Sequence, residues 1–354
     1  MNRSKIMGTG AYIPTEKIPN DYFSTAAFFE QDHSPVRNPT GMVIQKFKAI
    51  TGIAERRYAP PGVTASDMAF MAAREAIANA AVDPESIDQL IVAHNYGDMD
   101  YPGAPRDAVP SLASRVKHKL GIKSPSCVPY DIIFGCPGWL QAVIQADLAI
   151  RAGAAGTVLV IGAETLSRVL DSSDRDSMIF SDGAGACILQ KHQGDDGGVL
   201  STSVRSDTGA EAGFILSGSR NDTPGTEPKF IKMKGRKVYE YVLNHVPQAM
   251  KACLDQSGEL ISDLKMVFLH QANEKMDEAI IARFYGLYGM DRFPDDIMPM
   301  NIGWMGNSSV ATIPTLLHQV LGGQLESFKL AKGDIILMAS VGAGMNINAL
   351  TYKW

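Results

Sequence analysis

The chain has 354 residues, 45% of them hydrophobic, enough length and apolar content for two domains or one large α/β unit with a sizeable core. A net charge of −5, with no run of Lys or Arg, argues against nucleic acid and other polyanionic partners. No stretch approaches membrane-spanning length, and Gly8 and Gly10 interrupt the N-terminus before any signal-type apolar segment, so the expectation is a cytoplasmic protein with no membrane partner.

Residues 6–13 read as a glycine-containing strand and 14–20 as a turn. The stretch 31–41 is loop-prone, and its His33 reads as a solvated loop residue rather than a ligand. Ser66 and Asp67 cap a helix running to about Ala81, and Leu90-Ile91-Val92-Ala93 is a short buried strand. A long loop over 96–110 then carries Asp98, Asp100 and Asp107; loops of that length are often functional.

At 131–139 a strand ends and a long apolar helix begins, with a cysteine at the joint. Pro137 suits the first helical position, where its missing N–H has no partner, which puts Cys136 at or near the N-cap. Backbone N–H groups and the positive end of the helix dipole then face the sulfur and favour thiolate over thiol, which makes a nucleophile. The bland alternative is a small buried hydrophobe. Cys136, Cys127, Cys187 and Cys253 form no Cys-x-x-Cys pair and no zinc-like grouping with histidine, so no metal site and no disulfide framework is implied. Two unalternating strands of the kind covered on both faces follow, one at 158–162 and one from Met178 through Asp182-Gly183-Ala184-Gly185 to Leu189. A polar loop over 217–228 precedes a helix over 235–256.

The second half then repeats the first. Residues 87–95 parallel 262–271, and Phe134-Gly135-Cys136 parallels Met305-Gly306-Asn307, each opening a helix that leads to a buried strand, 158–162 and 335–341. The repeat implies α/β layers made of two pseudo-symmetric halves, 1–195 and 196–354, with Cys136 and Asn307 at equivalent helix starts facing one cleft. His270 stands at a strand end, and Gly342-Ala343-Gly344 follows the last buried strand, where its backbone N–H groups would reach the sulfur. A thiolate, a histidine and a neutral amide suit thioester chemistry. Taken singly, His270 reads equally as a satisfied strand-end histidine, Asn307 as a helix cap and the glycines as a plain turn.

The motifs Gly8-Thr9-Gly10, Thr51-Gly52-Ile53-Ala54-Glu55-Arg56-Arg57, Gly135-Cys136, Asp182-Gly183-Ala184-Gly185-Ala186, His270-Gln271-Ala272-Asn273 and Gly306-Asn307-Ser308-Ser309, in this order, carry a resemblance. The chain resembles the β-ketoacyl-acyl-carrier-protein synthase III family over nearly its whole length. The resemblance implies a thiolase-like layered αβαβα fold and a homodimer. It implies Cys136 as nucleophile, His270 and Asn307 stabilising the enolate left by malonyl decarboxylation, and an oxyanion hole from the Cys136 N–H and the loop Gly342, Ala343, Gly344. No cofactor is implied; the substrates are acyl-CoA and malonyl-ACP or malonyl-CoA, with an acyl carrier protein as partner.

Asn307 fits the Cys-His-Asn set; elongating synthases carry a second histidine there, and degradative thiolases a second cysteine about where Ser340 stands. Hydroxymethylglutaryl-CoA synthase-like relatives need a carboxylate after the first-half strand; this chain has His94-Asn95-Tyr96, with Asp98 nearby, and His94 is a candidate for lining the substrate cavity. Arg175 matches an adenine-contacting position, and Lys275 replaces an arginine after the histidine motif, which makes both coenzyme A candidates. Lys46 and Ile50 stand for the usual tryptophan and arginine, Glu240 for the lysine offered to the carrier protein, and Val109 for the acyl-pocket phenylalanine. These departures describe a specialised fatty-acid or secondary-metabolite member. The alternatives are a non-decarboxylating acyltransferase of the same fold and a catalytically silent dimer partner.

Overall fold

The computed structural model describes residues 2–194, 197–223, 225 and 229–354, so the boundary expected between 195 and 196 and part of the loop expected at 217–228 lie outside the described residues. The first half runs β1 (Asn2–Tyr12), β2 (Glu16–Pro19), α1 (Thr40–Thr51), β3 (Glu55–Tyr58), α2 (Ala65–Ala80), β4 (Gln89–Ala93), α3 (Leu112–Leu120), β5 (Val128–Ile132), α4 (Gly138–Arg151), β6 (Thr157–Thr165) and β7 (Asp182–Gln193). The second runs β8 (Gly198–Ser206), β9 (Ile215–Gly218), β10 (Phe230–Met233), α5 (Gly235–Ser257), β11 (Leu264–Leu269), α6 (Glu274–Gly286), α7 (Ile302–Met305), α8 (Thr312–Leu321), β12 (Ile335–Gly342) and β13 (Asn346–Lys353).

One sheet has the order β1-β7-β6-β4-β5 and the other the order β8-β13-β12-β11. In the first, β4 is parallel to β5 and β6, while β7 is antiparallel to both β6 and β1. The second repeats four of these positions with the same directions. No strand stands in its fifth position among the described residues; there the Val267 N–H donates to the Ile297 carbonyl at 2.7 Å.

The pleat sorts the strand side chains into three cores. Leu90 and Val92 of β4 and Leu159 and Ile161 of β6 pack with Met68 and Ala72 of α2 and Val116 of α3. Their neighbours Ile91, Val158 and Val160 face the other way and join α4, α8 and, from the second sheet, Phe268, Ile336 and Met338. Leu337 and Ala339 complete a third core with α5 and α6. The layers are therefore αβαβα, with α4 and α8 in the middle, buried between two sheets. Close approach makes this possible: a Cβ at Gly185 of β7 would lie 2.7 Å from Pro314 Cβ of α8.

Four local readings are corrected. The stretch 14–20, expected as a turn, contains β2, which pairs antiparallel with β3. Thr64, not Ser66, caps α2: it accepts the Asp67 N–H, and the Asp67 carboxylate accepts the Thr64 N–H at 2.9 Å. Ser66 instead gives its N–H and hydroxyl to Asp98 at 2.8 and 2.7 Å. The strand expected from Met178 begins at Asp182, because the Met178 carbonyl accepts from Arg56 Nε and Nη2 at 3.0 and 2.7 Å and residues 175–179 coil as a 3-10 turn. Finally, Ser217, expected in a loop, pairs with Ile231 in a β9–β10 hairpin.

Candidate active site

Gly135, at φ +66, turns the chain after β5; the Gly138 N–H donates to the Gly135 carbonyl at 3.0 Å, and Pro137 becomes the N-cap of α4. Cys136 thus stands one residue ahead of the cap, because the turn consumes the position the helix would have used. It is half-buried, whereas the other three cysteines are buried. Burial pushes its thiol up to about 11, against the Ser309 hydroxyl, which donates to Sγ at 3.4 Å, and with help from the Glu164 charge. Burial of the sulfur thus works against the thiolate that the helix dipole favours.

His270 follows β11 and donates its backbone N–H to the Ala339 carbonyl at 2.9 Å. Its Nδ1 lies 2.7 Å from the Thr312 hydroxyl, which donates to the Ser309 carbonyl at 2.9 Å. A hydroxyl has one proton to give, so the network assigns the ring hydrogen to Nδ1 and leaves a lone pair on Nε2. Burial lowers this imidazole to about 4 and keeps it neutral.

Asn307 lies between α7 and α8 rather than at the start of α8, pinned by its N–H to the Ile179 carbonyl at 2.9 Å and by the Ser181 N–H on its own carbonyl at 2.8 Å. Its Oδ1 accepts the Ser309 N–H at 2.7 Å, which leaves Nδ2 as the end free to serve the cavity. Cys136, His270, Asn307 and Ser309 line one cavity of about 360 Å³, whose other walls are mostly apolar. Ala343 and Gly344 line it too, and a Cβ on Gly342 would fall on the Cys136 backbone nitrogen, so this loop is pressed against the cysteine. Ser309 and Asn95, both on the cavity, were not singled out from the sequence: the motif holds two adjacent serines, and only the backbone of Ser309, at φ +55, decides which one faces the sulfur.

Residues 130–208 match the family described as 3-Oxoacyl-[acyl-carrier-protein (ACP)] synthase III, and residues 254–354 match its C-terminal part. A β-ketoacyl-[acyl-carrier-protein] synthase III of Ehrlichia canis is 33% identical over 348 residues, covering 98% of this chain and 97% of the relative. The chain belongs to this synthase III family. A second relative of that name, from Cereibacter sphaeroides, is 30% identical over 99% of both chains. The crystal structure of 3-oxoacyl-[acyl-carrier-protein] synthase III from Aquifex aeolicus matches with a TM-score of 0.81 at 28% identity, over 99% of this chain and 100% of that one. The fold is thus thiolase-like, and the protein is a condensing acyltransferase.

A second cavity of this synthase, about 390 Å³, shares Phe180, Met233, Val238, Ala272, Met276 and Asn307 with the first. Lys46, Ile50 and Arg175 line it, and the exposed Arg175 pairs with Glu30 at 3.0 Å. Lys275 is exposed in the first turn of α6 and lines neither cavity. Glu240 is exposed on α5 and paired with Arg236 at 2.9 Å. Val109 is 86% exposed and lines neither cavity.

His94 does not line either cavity. It gives Nε2–H to Asp131 at 3.0 Å, accepts the Gly97 N–H on Nδ1 at 3.1 Å, and is buried with both nitrogens satisfied. Asp98 is spent on Ser66 and on Arg115, 3.0 Å away. Ser340 is buried within β12 and lines neither cavity. Arg56, from the Thr-Gly motif, is a fully buried clamp on the Ile18 and Met178 carbonyls and Asn20. Among the described residues no group of three His, Cys, Asp or Glu is arranged for a metal ion, and no helix is long and apolar enough to cross a membrane.

Proposed function

We propose that Cys136 takes an acyl group from a thioester and that a malonyl thioester then loses CO2 to form a carbon–carbon bond with it, giving a β-ketoacyl thioester. In loading, the thiol proton passes to His270 Nε2, the sulfur attacks the acyl carbonyl, and the departing thiol takes the proton. The oxyanion is met by the main-chain N–H of Cys136 and the loop from Gly342 to Gly344. In the second half-reaction the bond to the malonyl carboxylate breaks, its electron pair enters an enolate, and the Asn307 Nδ2–H donates to the enolate oxygen; His270 joins it only in the neutral tautomer whose ring hydrogen has moved from Nδ1 to Nε2. The enolate carbon attacks the acyl carbonyl and expels the Cys136 thiolate, which takes a proton from solvent to return to the thiol. The leaving groups come with the substrates, so the scheme needs no cofactor.

The observation that carries this reading is the single cavity shared by Cys136, His270 and Asn307, which shares six lining residues with a second cavity that bears Arg175 and Lys46. These two side chains suit the phosphates of coenzyme A or of a carrier protein's prosthetic arm; Lys275 would meet them only from outside. The non-decarboxylating alternative is disfavoured, since the relatives that match over nearly the whole chain are named β-ketoacyl-[acyl-carrier-protein] synthase III. We read the protein as a cytoplasmic homodimer, supported by four unpaired cysteines and by β5 standing at a sheet edge with Val128 and Ile133 exposed. The test is peptide mass spectrometry after incubation with a panel of acyl-CoA thioesters. Acyl mass on the Cys136 peptide alone supports the reading; label spread over Cys127, Cys187 and Cys253 would sink it.

A further inference from the structure

Asn95 follows β4 and lines the cavity that holds Cys136. Its side-chain Nδ2 reaches two oxygens: Glu164 Oε2 at 2.7 Å and Ser309 Oγ at 3.2 Å. Its backbone N–H donates to the same Glu164 oxygen at 3.0 Å. Glu164 is fully buried at the end of β6, and its Oε1 meets no protein partner among the described residues. An oxygen that already accepts a backbone N–H holds the Asn95 amide with its NH2 end forward, so one amide proton goes to Glu164 and the other to Ser309. The Ser309 oxygen, now an acceptor from Asn95, has its own proton to give, and Cys136 Sγ lies 3.4 Å away to receive it. The preceding residue, His94, is held at both ring nitrogens, by Asp131 at 3.0 Å and the Gly97 N–H at 3.1 Å.

We propose that Asn95 is a positioning residue for the condensing reaction: held by Glu164, it turns the Ser309 hydroxyl so that its proton points at the Cys136 sulfur and stabilises the thiolate that takes up the acyl group. The proton released from the thiol still goes to His270 Nε2; Asn95 and Ser309 carry no proton away and act only by orientation. Besides His270 on the same cavity, the titratable groups acting on the sulfur are Glu164 and Tyr96. The inference rests on the reading of Cys136 as the acyl acceptor.

The experiment is alkylation of Cys136 by iodoacetamide in the full chain, followed against pH by peptide mass spectrometry. It compares the parent with Asn95→Leu, Ser309→Ala and the double variant, each checked for native folding by its melting curve. Loss of a hydrogen bond to a charged group makes Ser309→Ala on the order of ten- to a hundredfold slower at pH 8. Asn95→Leu is slowed comparably, and the double variant no further than Ser309→Ala, because Asn95 acts only through the hydroxyl. Asn95→Asp preserves size and serves as a second probe: the new carboxylate draws the Ser309 proton away from sulfur and slows alkylation as well. Parental alkylation in Asn95→Leu, or losses that multiply in the double variant, would overturn the proposal. A parent that shows the predicted alkylation pattern yet takes no acyl group from any acyl-CoA supports the hydroxyl orientation and overturns the acyl-acceptor reading.

Discussion

Burial holds Cys136 and His270 in their uncharged forms, the thiol raised to about 11 and the imidazole lowered to about 4. Between those values neither group changes charge, so these two alone would make the thiolate fraction grow tenfold per pH unit. Glu164, which burial raises to about 7, ionises in the middle of the range and raises the thiol further, so alkylation of Cys136 in the parent should climb with unit slope only above about pH 8; a plateau there would mean a thiolate–imidazolium pair instead. In the proposed scheme Asn307 acts in the other half-reaction. With Oδ1 committed to the Ser309 N–H, its Nδ2–H is a preset oxyanion donor, and Asn307→Ala should keep acyl loading while losing on the order of 10²–10³ in CO2 release from a malonyl thioester. Parental CO2 release would reduce Asn307 to a turn residue. That Cys136, His270 and Asn307 would face one cavity was legible because each sits in a short motif at the end of a strand or beside a helix. Asn95, Ser309 and the tautomer of His270 were not, since they depend on which end of a hydrogen bond donates, and spacing does not encode that.

The β9–β10 hairpin gives the cavity Ile215, Leu216, Ser217, Ile231 and Met233. Between Ile231 and Met233, Lys232 points the other way into a buried cluster, pairing with Asp171, with Asp174 at 3.1 Å and with Asn221 at 2.7 Å. Lys232→Met would leave two carboxylates buried without their cation, a cost of roughly 3–5 kcal/mol. The expected result is faster amide exchange in β9 and β10 and a raised KM for acyl-CoA, with α4 and β6 unchanged; protected hairpin amides would show that packing alone holds this wall. The hairpin was hard to read because Gly, Ser and Lys interrupt its apolar residues, so the polar composition masked the pairing. Long apolar strands such as β6 and β12, and helix α5 with Gly235 at its start, were legible because burial and periodicity agree there. The start of α4 was missed by one residue because Gly135 makes a turn of its own.

At the scale of the molecule, the repeat read from residues 87–95 and 262–271 is visible as β4 and β11 in matching places of two sheets. What the repeat did not reveal is the asymmetry: β5 extends the first sheet, and no strand pairs with its outer edge among the described residues. Such an edge, with Val128 at 53% and Ile133 at 69% exposure, suits antiparallel pairing with a second copy about a two-fold axis. If the proposed homodimer pairs through this edge, Val128→Lys places two like charges near the axis, and light scattering at low salt should show a dimer mass for the parent and a monomer mass for the variant; a dimer mass for both would move the interface elsewhere, and a monomeric parent would overturn the dimer reading. The central claim, acyl transfer through Cys136 followed by decarboxylative condensation, is tested most directly by one incubation. It combines an acyl-CoA with a malonyl thioester labelled in its free carboxyl, using parent and Cys136→Ala protein. The account predicts labelled CO2 and β-ketoacyl thioester in equal amounts from the parent, and no condensation product from Cys136→Ala. Product formed without CO2, or formed at the parental rate by Cys136→Ala, would contradict it.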